Sequence, residues 1–169
     1  GLGRGEGRRA LVRELLEHID LPAVVDADAL HELEPVSRSA PTVLTPHAGE
    51  LARLLGTDSA WVGAHRLEAA QLGAEQFGAV LLLKGPDTIV AVPDHGAVVS
   101  DFGPPALATA GTGDVLTGVV AAFLAKGLEP QLAAVAAAVA HGRAAELVPH
   151  RAGLVASDLL ETLPAALDA

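Results

Sequence analysis

Residues 79–85 read AVLLLKG: five apolar side chains without a polar position among them, then a lysine and a glycine, with a proline next at 86. The run is too short for an ordinary buried helix and lacks the alternation of a half-exposed strand, so both of its faces must be covered. That demand predicts a strand inside a sheet with helices on either side. PAVVDADAL at 22–30 reads as a second buried strand ending at Asp26, and TVLTP at 42–46 as a third, stopped by Pro46. TIVAVPDHGAVVS at 88–100 reads as two strands around a turn at 93–96. Between these runs the period changes. Ala10, Leu11, Leu15, Leu16 and Ile19 recur at helical spacing over 7–19, and helical patterns follow at 47–56, 59–77, 113–126, 130–148 and 156–163. Strands alternating with helices predict a three-layer α/β domain with a mostly parallel sheet, residues 1–169 forming one domain. In such sheets ligands collect at the carboxyl ends of the strands.

Half of the residues are hydrophobic, yet only Trp61, Phe77, Phe102 and Phe123 are aromatic, so the core has to be built from Ala, Val and Leu. Cysteine is absent, which excludes disulfides, thiolate metal sites and a cysteine nucleophile. The net charge of −10 gives a surface field that repels nucleic acid and anionic membranes. No apolar run reaches the roughly 18 residues that span a bilayer. The opening GLGRGEGRRALVRELLEHID lacks the unbroken apolar centre of a secretory leader, and a cytoplasmic location is expected. An anionic ligand must therefore be held by local backbone N–H groups and a few chosen cations.

Four segments at expected strand ends can do that. In AGTGD at 110–114, Gly111 and Gly113 leave the backbone free of Cβ atoms, so a phosphate can approach the amides of Gly111, Thr112 and Gly113 at the start of a helix. Asp114 then lies in the first helical turn, where a carboxylate can take the proton of an attacking hydroxyl. A plain glycine turn with an acidic residue at a helix N-terminus is the alternative. In TPHAGE at 45–50, Glu50 falls one helical turn after His47; it can orient magnesium-bound water, or the pair can be an ordinary capped helix start. In LKGPDT at 83–88, Lys84 must leave the sheet at its edge, where it meets phosphate as a point charge or snorkels to solvent, and Thr88 offers a hydroxyl. Asp26 and Asp28 can hold metal-bound water, position the next loop, or cap a helix. The remaining histidines show no ligand spacing and are read as surface or packing residues, His141 being the least clear.

Taken together and in order, GLG at 1–3, VVDADAL, TPHAGE, LKGPDT and AGTGD resemble the ADP-dependent NAD(P)H-hydrate dehydratases, a branch of the ribokinase-like superfamily. The similarity runs from Gly1 to near the end, where HGRAAELVPHRAGLVASDLLETLP continues it. It implies a three-layer αβα ribokinase-like domain and a repair lyase. That enzyme dehydrates the 6-hydroxylated hydrates NADHX and NADPHX back to NADH or NADPH, using ADP and Mg2+ and releasing AMP and phosphate. Asp114 matches the family's base and substrate-contacting position, His47 its substrate-binding histidine, and Gly3 its substrate-side glycine. Lys84, Gly85, Pro86, Asp87 and Thr88, together with Gly113, match the segments that contact the adenine nucleotide. The family's domain carries a further N-terminal segment before this point, so the chain is expected to be N-terminally truncated. Two other readings use the same residues: a vitamin-precursor kinase of the superfamily, and an inactive nucleotide-binding fragment. Small molecules are the expected partners, with homo-oligomerisation open.

Overall fold

The computed structural model describes residues 6–150 and 152–168. Helix α1 (Glu6–His18) leads to strand β1 (Ala23–Val25), a 3-10 turn (Ala27–Leu30) and β2 (Thr42–Leu44). Helices α2 (Ala48–Leu55), α3 (Ser59–Ala64) and α4 (Arg66–Phe77) precede β3 (Val80–Leu83), β4 (Thr88–Val92) and β5 (Gly96–Ser100). A second 3-10 turn (Pro105–Leu107) enters α5 (Thr112–Ala125), followed by α6 (Pro130–Leu147) and α7 (Ala156–Leu167).

The apolar run at 80–83 is the middle strand, and all four of its residues are buried. Val80 and Leu82 face one layer, where Leu116, Val120, Ala134 and Ala137 of α5 and α6 meet them. Leu81 and Leu83 face the other, against Leu51, Val62, Ala70 and Ala74 of α2, α3 and α4. The period-2 geometry of a strand thus splits one continuous apolar run into two cores. The helix faces on the sheet are largely alanine, which compensates for the lack of aromatic side chains by letting helices lie close to it.

The strands lie in the order β1-β2-β3-β4-β5. β1, β2 and β3 are parallel, while β4 is antiparallel to both β3 and β5. The sheet is therefore mixed and not mostly parallel as expected. The cause lies in the connections: β3–β4 and β4–β5 are joined by short turns at 84–87 and 93–95, whereas a parallel crossover needs about a dozen residues or more.

Two helix boundaries also differ from expectation. The pattern over 59–77 is broken at His65, whose φ −126 and ψ 44 lie outside the helical region, and whose ring stacks on Trp61 with centroids 4.9 Å apart. α7 runs on through Pro164, where the apolar pattern had predicted a stop at 163.

Candidate active site

Because β1, β2 and β3 are parallel and β4 is reversed, three strand ends and one strand start fall on the same edge of the sheet. Asp26, His47, Lys84 and Thr88 are the residues that stand there. The Lys84 amide donates to Pro46 O at 2.8 Å, and Lys84 pairs with His47 in an isolated parallel bridge, so the two are backbone neighbours. α5 starts against the same edge. A Cβ on Gly113 would lie 3.5 Å from Lys84 Nζ and 3.9 Å from Asp26 Oδ2.

Asp26 organises this corner. Its Oδ1 accepts from Lys84 Nζ at 2.7 Å and its Oδ2 from Thr117 Oγ1 at 2.8 Å. Although Asp26 is the residue before the 3-10 turn, its side chain makes no capping hydrogen bond, so capping is not its role. Burial pushes the Asp26 carboxyl up, but the hydrogen bond and charge of Lys84, with the Thr117 and Thr45 hydroxyls, outweigh it and hold the group below the ordinary carboxyl value. The ion pair is sheltered, with side-chain exposures of 22% for Lys84 and 9% for Asp26. Lys84 therefore does not swing in solvent; its ammonium is held beside Gly113.

The loop into α5 presents backbone donors to that ammonium's surroundings. Gly111 takes φ 88, a left-handed conformation that costs glycine little. Thr112 N–H donates to Thr109 O at 3.3 Å and Asp114 N–H to Gly111 O at 3.1 Å, so both are engaged inside the loop. The amides of Gly111 and Gly113 have no backbone or side-chain acceptor among the described residues. Unpaired N–H groups at a helix N-terminus, beside a lysine, make a cradle able to receive an anion. Thr112 supplies no free donor to it, since its amide is taken by Thr109 O and its hydroxyl lies 2.7 Å from Leu107 O and 2.8 Å from Thr109 O, so the three-amide anion hole expected from the sequence is reduced to Gly111 and Gly113. Asp114 is exposed, and among the described residues no side chain pairs with its carboxylate.

A cavity of about 640 Å³ opens beside this cradle. Lys84, Gly85, Pro86, Thr88, Gly113 and His47 line it together with an apolar wall of Phe102, Pro104, Pro105, Leu107, Leu116 and Ala138. Its volume lies within the range of small-molecule sites, about 300–1,000 Å³. The surroundings suit a ligand with an anionic group and a flat apolar body. His141 also lines the cavity; its Nε2 lies 2.9 Å from Thr112 O, which can only accept, so that nitrogen carries the proton. Burial pushes the His141 imidazolium towards losing its proton, only partly offset by the Thr112 carbonyl.

A sequence profile described as NAD(P)H-hydrate dehydratase matches residues 1–165. The chain belongs to the NAD(P)H-hydrate dehydratase family. It is 46% identical over 172 residues to the bifunctional NAD(P)H-hydrate repair enzyme of Moorella thermoacetica, covering 97% of this chain and 32% of the relative. It is 44% identical over 177 residues to the ADP-dependent (S)-NAD(P)H-hydrate dehydratase of Neisseria meningitidis, covering 98% of this chain and 60% of that protein. The chain thus spans about a third of the bifunctional relatives and three fifths of the Neisseria enzyme. A crystal structure of the ADP/ATP-dependent NAD(P)H-hydrate dehydratase from Bacillus subtilis, co-crystallised with ATP and Mg2+, superposes with a TM-score of 0.93 at 34% identity, covering 99% of this chain and 61% of that one. A hydroxyethylthiazole kinase from Pyrococcus horikoshii superposes with a TM-score of 0.73 at 20% identity, a likeness of fold alone.

Within this dehydratase fold, the residues singled out in the sequence divide into three groups. His47, Lys84, Gly85, Pro86, Thr88, Thr112 and Gly113 line one cavity, with Gly111 and Asp114 in the adjoining loop and first helical turn. Asp87 instead faces Arg66: its Oδ1 lies 3.1 Å from Arg66 Nε, and its carbonyl accepts from Arg66 at 2.6 Å. It braces the turn that carries Lys84 rather than lining the cavity. Glu50 Oε2 accepts from the His47 amide at 2.8 Å, while His47 Nδ1 accepts from the amides of Gly49 and Glu50. The capped helix start is thus the arrangement observed, and Glu50 faces a smaller cavity of about 120 Å³ with Asp28. Gly3 lies outside the described residues. Thr117 and Arg66 belong to no motif of fixed spacing and carry no sequence signal, and His141, the least clear of the histidines, shows no ligand spacing that would mark its place at the cavity.

Proposed function

We propose that this chain catalyses the ADP-dependent dehydration of (6S)-NAD(P)H hydrate to NAD(P)H, yielding AMP and phosphate. Membership of the dehydratase family supports the reaction class. The observation that carries it to these residues is the pair of free amides at Gly111 and Gly113 beside the anchored ammonium of Lys84, on a cavity with an apolar wall. ADP fits there with its phosphates on the cradle and its adenine against Phe102, Pro104 and Leu107. The hydrate approaches from the side of His47 and Asp114.

In this reading Asp114 accepts the proton of the hydrate's C6 hydroxyl as its oxygen attacks the β-phosphorus of ADP. The bond from β-phosphorus to the bridging oxygen breaks, and AMP leaves with the electron pair. Gly111 and Gly113 N–H and Lys84 stabilise the charge spread over the transferring phosphoryl oxygens. The phosphate ester is a better leaving group than hydroxide, so phosphate leaves C6 with the bonding electron pair and takes up the proton lost from C5, which restores the ring double bond. A protein of net charge −10 holds two anionic nucleotides only through such local donors.

Magnesium fits this site as a phosphate-bound ion. Among the described residues no group of three or more His, Asp or Glu side chains is arranged to hold a metal, and Mg2+ characteristically takes one or two carboxylates with phosphate oxygens and water. Such an ion would be held mainly by the phosphate oxygens and water, which leaves the Asp114 carboxylate available as the base. Bound with the nucleotide, the ion supplies charge neutralisation on the phosphates. The proposal extends to residues 1–169 working as one domain in a cytoplasmic repair role.

The test is incubation of the protein with NADH hydrate, ADP and Mg2+. Return of NADH absorbance with equimolar AMP and phosphate supports the reading. A stable phosphorylated product from an unrelated alcohol, or no NADH with either ADP or ATP, rejects it.

A further inference from the structure

His141 and Gly142 are consecutive residues of α6, and each touches a different wall of the 640 Å³ cavity. His141 is buried and its Nε2–H donates to the carbonyl of Thr112 at 2.9 Å, the residue between the two glycines of the anion cradle. The neighbouring Gly142 meets the opposite segment. A Cβ there would stand 2.7 Å from Phe102 O and 2.8 Å from Phe102 C, closer than side-chain atoms come to a backbone. From the other side, a Cβ on Gly103 would lie 3.2 Å from Gly142 Cα. The backbones of α6 and of residues 102–103 are thus in direct contact, and only a position without a Cβ permits it. Phe102 and Gly103 open the apolar wall of the cavity, and that wall continues through Pro104 and Leu107.

We infer that His141 and Gly142 are positioning residues for the nucleotide site, with separate tasks: His141 sets the phosphate cradle through Thr112, and Gly142 sets the adenine wall through Phe102. The inference rests on the proposed occupancy of this cavity by an adenine nucleotide. The hydrogen bond matters because it fixes the tilt of one peptide plane. The Thr112 carbonyl and the Gly113 N–H belong to the same planar unit, so holding the oxygen aims the free hydrogen. Neither residue is assigned contact with the reacting atoms.

The two tasks are separable with two probes, adenosine and ADP, titrated calorimetrically into the protein and its variants. His141→Leu removes the donor and leaves the apolar volume; it is expected to weaken ADP roughly fivefold to tenfold, the scale of one lost hydrogen bond, while adenosine binds as before. His141→Gln returns an N–H at similar reach and restores ADP affinity. Gly142→Ala displaces the Phe102 backbone and is expected to weaken adenosine and ADP by the same factor. Thermal unfolding of each variant identifies loss of fold; for a destabilised His141→Leu the His141→Gln arm decides, and a Gly142→Ala that leaves adenosine affinity unchanged overturns the task given to Gly142. If wild-type protein binds ADP but His141→Leu weakens both probes equally, or His141→Gln fails to rescue, the division of tasks is wrong. If wild-type protein binds neither probe, the nucleotide reading of the cavity itself is overturned.

Discussion

Lys84 donates to Asp26 at 2.7 Å, although 58 positions of sequence separate them. The pair joins the end of β1 to the end of β3, and Thr117 on α5 completes it from the helix side at 2.8 Å. It is the contact by which the sheet holds a cation in front of the helix N-terminus.

Asp26→Asn keeps the shape of the side chain and removes its charge. Breaking a fully buried pair costs about 3–5 kcal/mol; Lys84 remains 22% exposed, so the expected loss is smaller, about 1–3 kcal/mol in a urea titration. The carboxyl is held below its ordinary value. Its contribution is therefore in full above the unfolded value, near pH 4, and is lost as pH falls through the folded value. The variant should lack that share of the acid loss, and an unchanged acid limb would contradict it.

Gly113→Ala separates binding from stability. Gly113 has no positive φ, and the added methyl meets only Lys84 Nζ at 3.5 Å and Asp26 Oδ2 at 3.9 Å, which are ordinary contacts. The fold should be unharmed, or stabilised by up to about 1 kcal/mol because alanine loses less backbone entropy in a helix. The methyl occupies the approach to the free amide, so ADP affinity should fall at least about tenfold, as a displaced charged hydrogen bond requires. Calorimetry beside a melting curve measures both, and equal affinity with equal stability would count against the cradle.

His141 gives a second pH signature of the same sign. Its folded value lies below the ordinary one because the ring is buried. Between that depressed value and about pH 6.5 the unfolded chain binds a proton that the folded chain does not, so stability rises with pH across that window. It is complete above the window and declines as pH falls. Comparing urea midpoints at about pH 5.5 and pH 7.5, the wild-type difference should exceed that of His141→Gln. An identical difference in both proteins would show that His141 does not titrate on unfolding.

Much of this architecture was legible before any coordinates. The run at 79–85 demanded two covered faces, and β3 is buried on both. Gly111, Gly113 and Lys84 were legible because glycine, or a lysine at the end of an apolar strand, is unusual locally. The reversal of β4 could be read only from the shortness of the turn at 84–87, a length argument that alternation of elements obscures. Asp26 was ambiguous because capping and ion pairing use the same carboxylate, and its partners lie 58 and 91 positions away. His141 sits in an alanine-rich helix where no local pattern marks it; its significance arises only when α6 packs beside the loop at 109–113.

In the proposed reaction bare amides hold the transferring phosphate while the adjoining carboxylate takes the hydroxyl proton. Asp114 is exposed and unpaired among the described residues, so Asp114→Asn should leave the fold intact. The decisive measurement is its rate of NADH regeneration from NADH hydrate, ADP and Mg2+, taken with its ADP affinity. The expected rate is reduced at least about a hundredfold, as loss of a general base requires, with ADP bound as tightly as by the wild type. A rate within a few fold of wild type would contradict it.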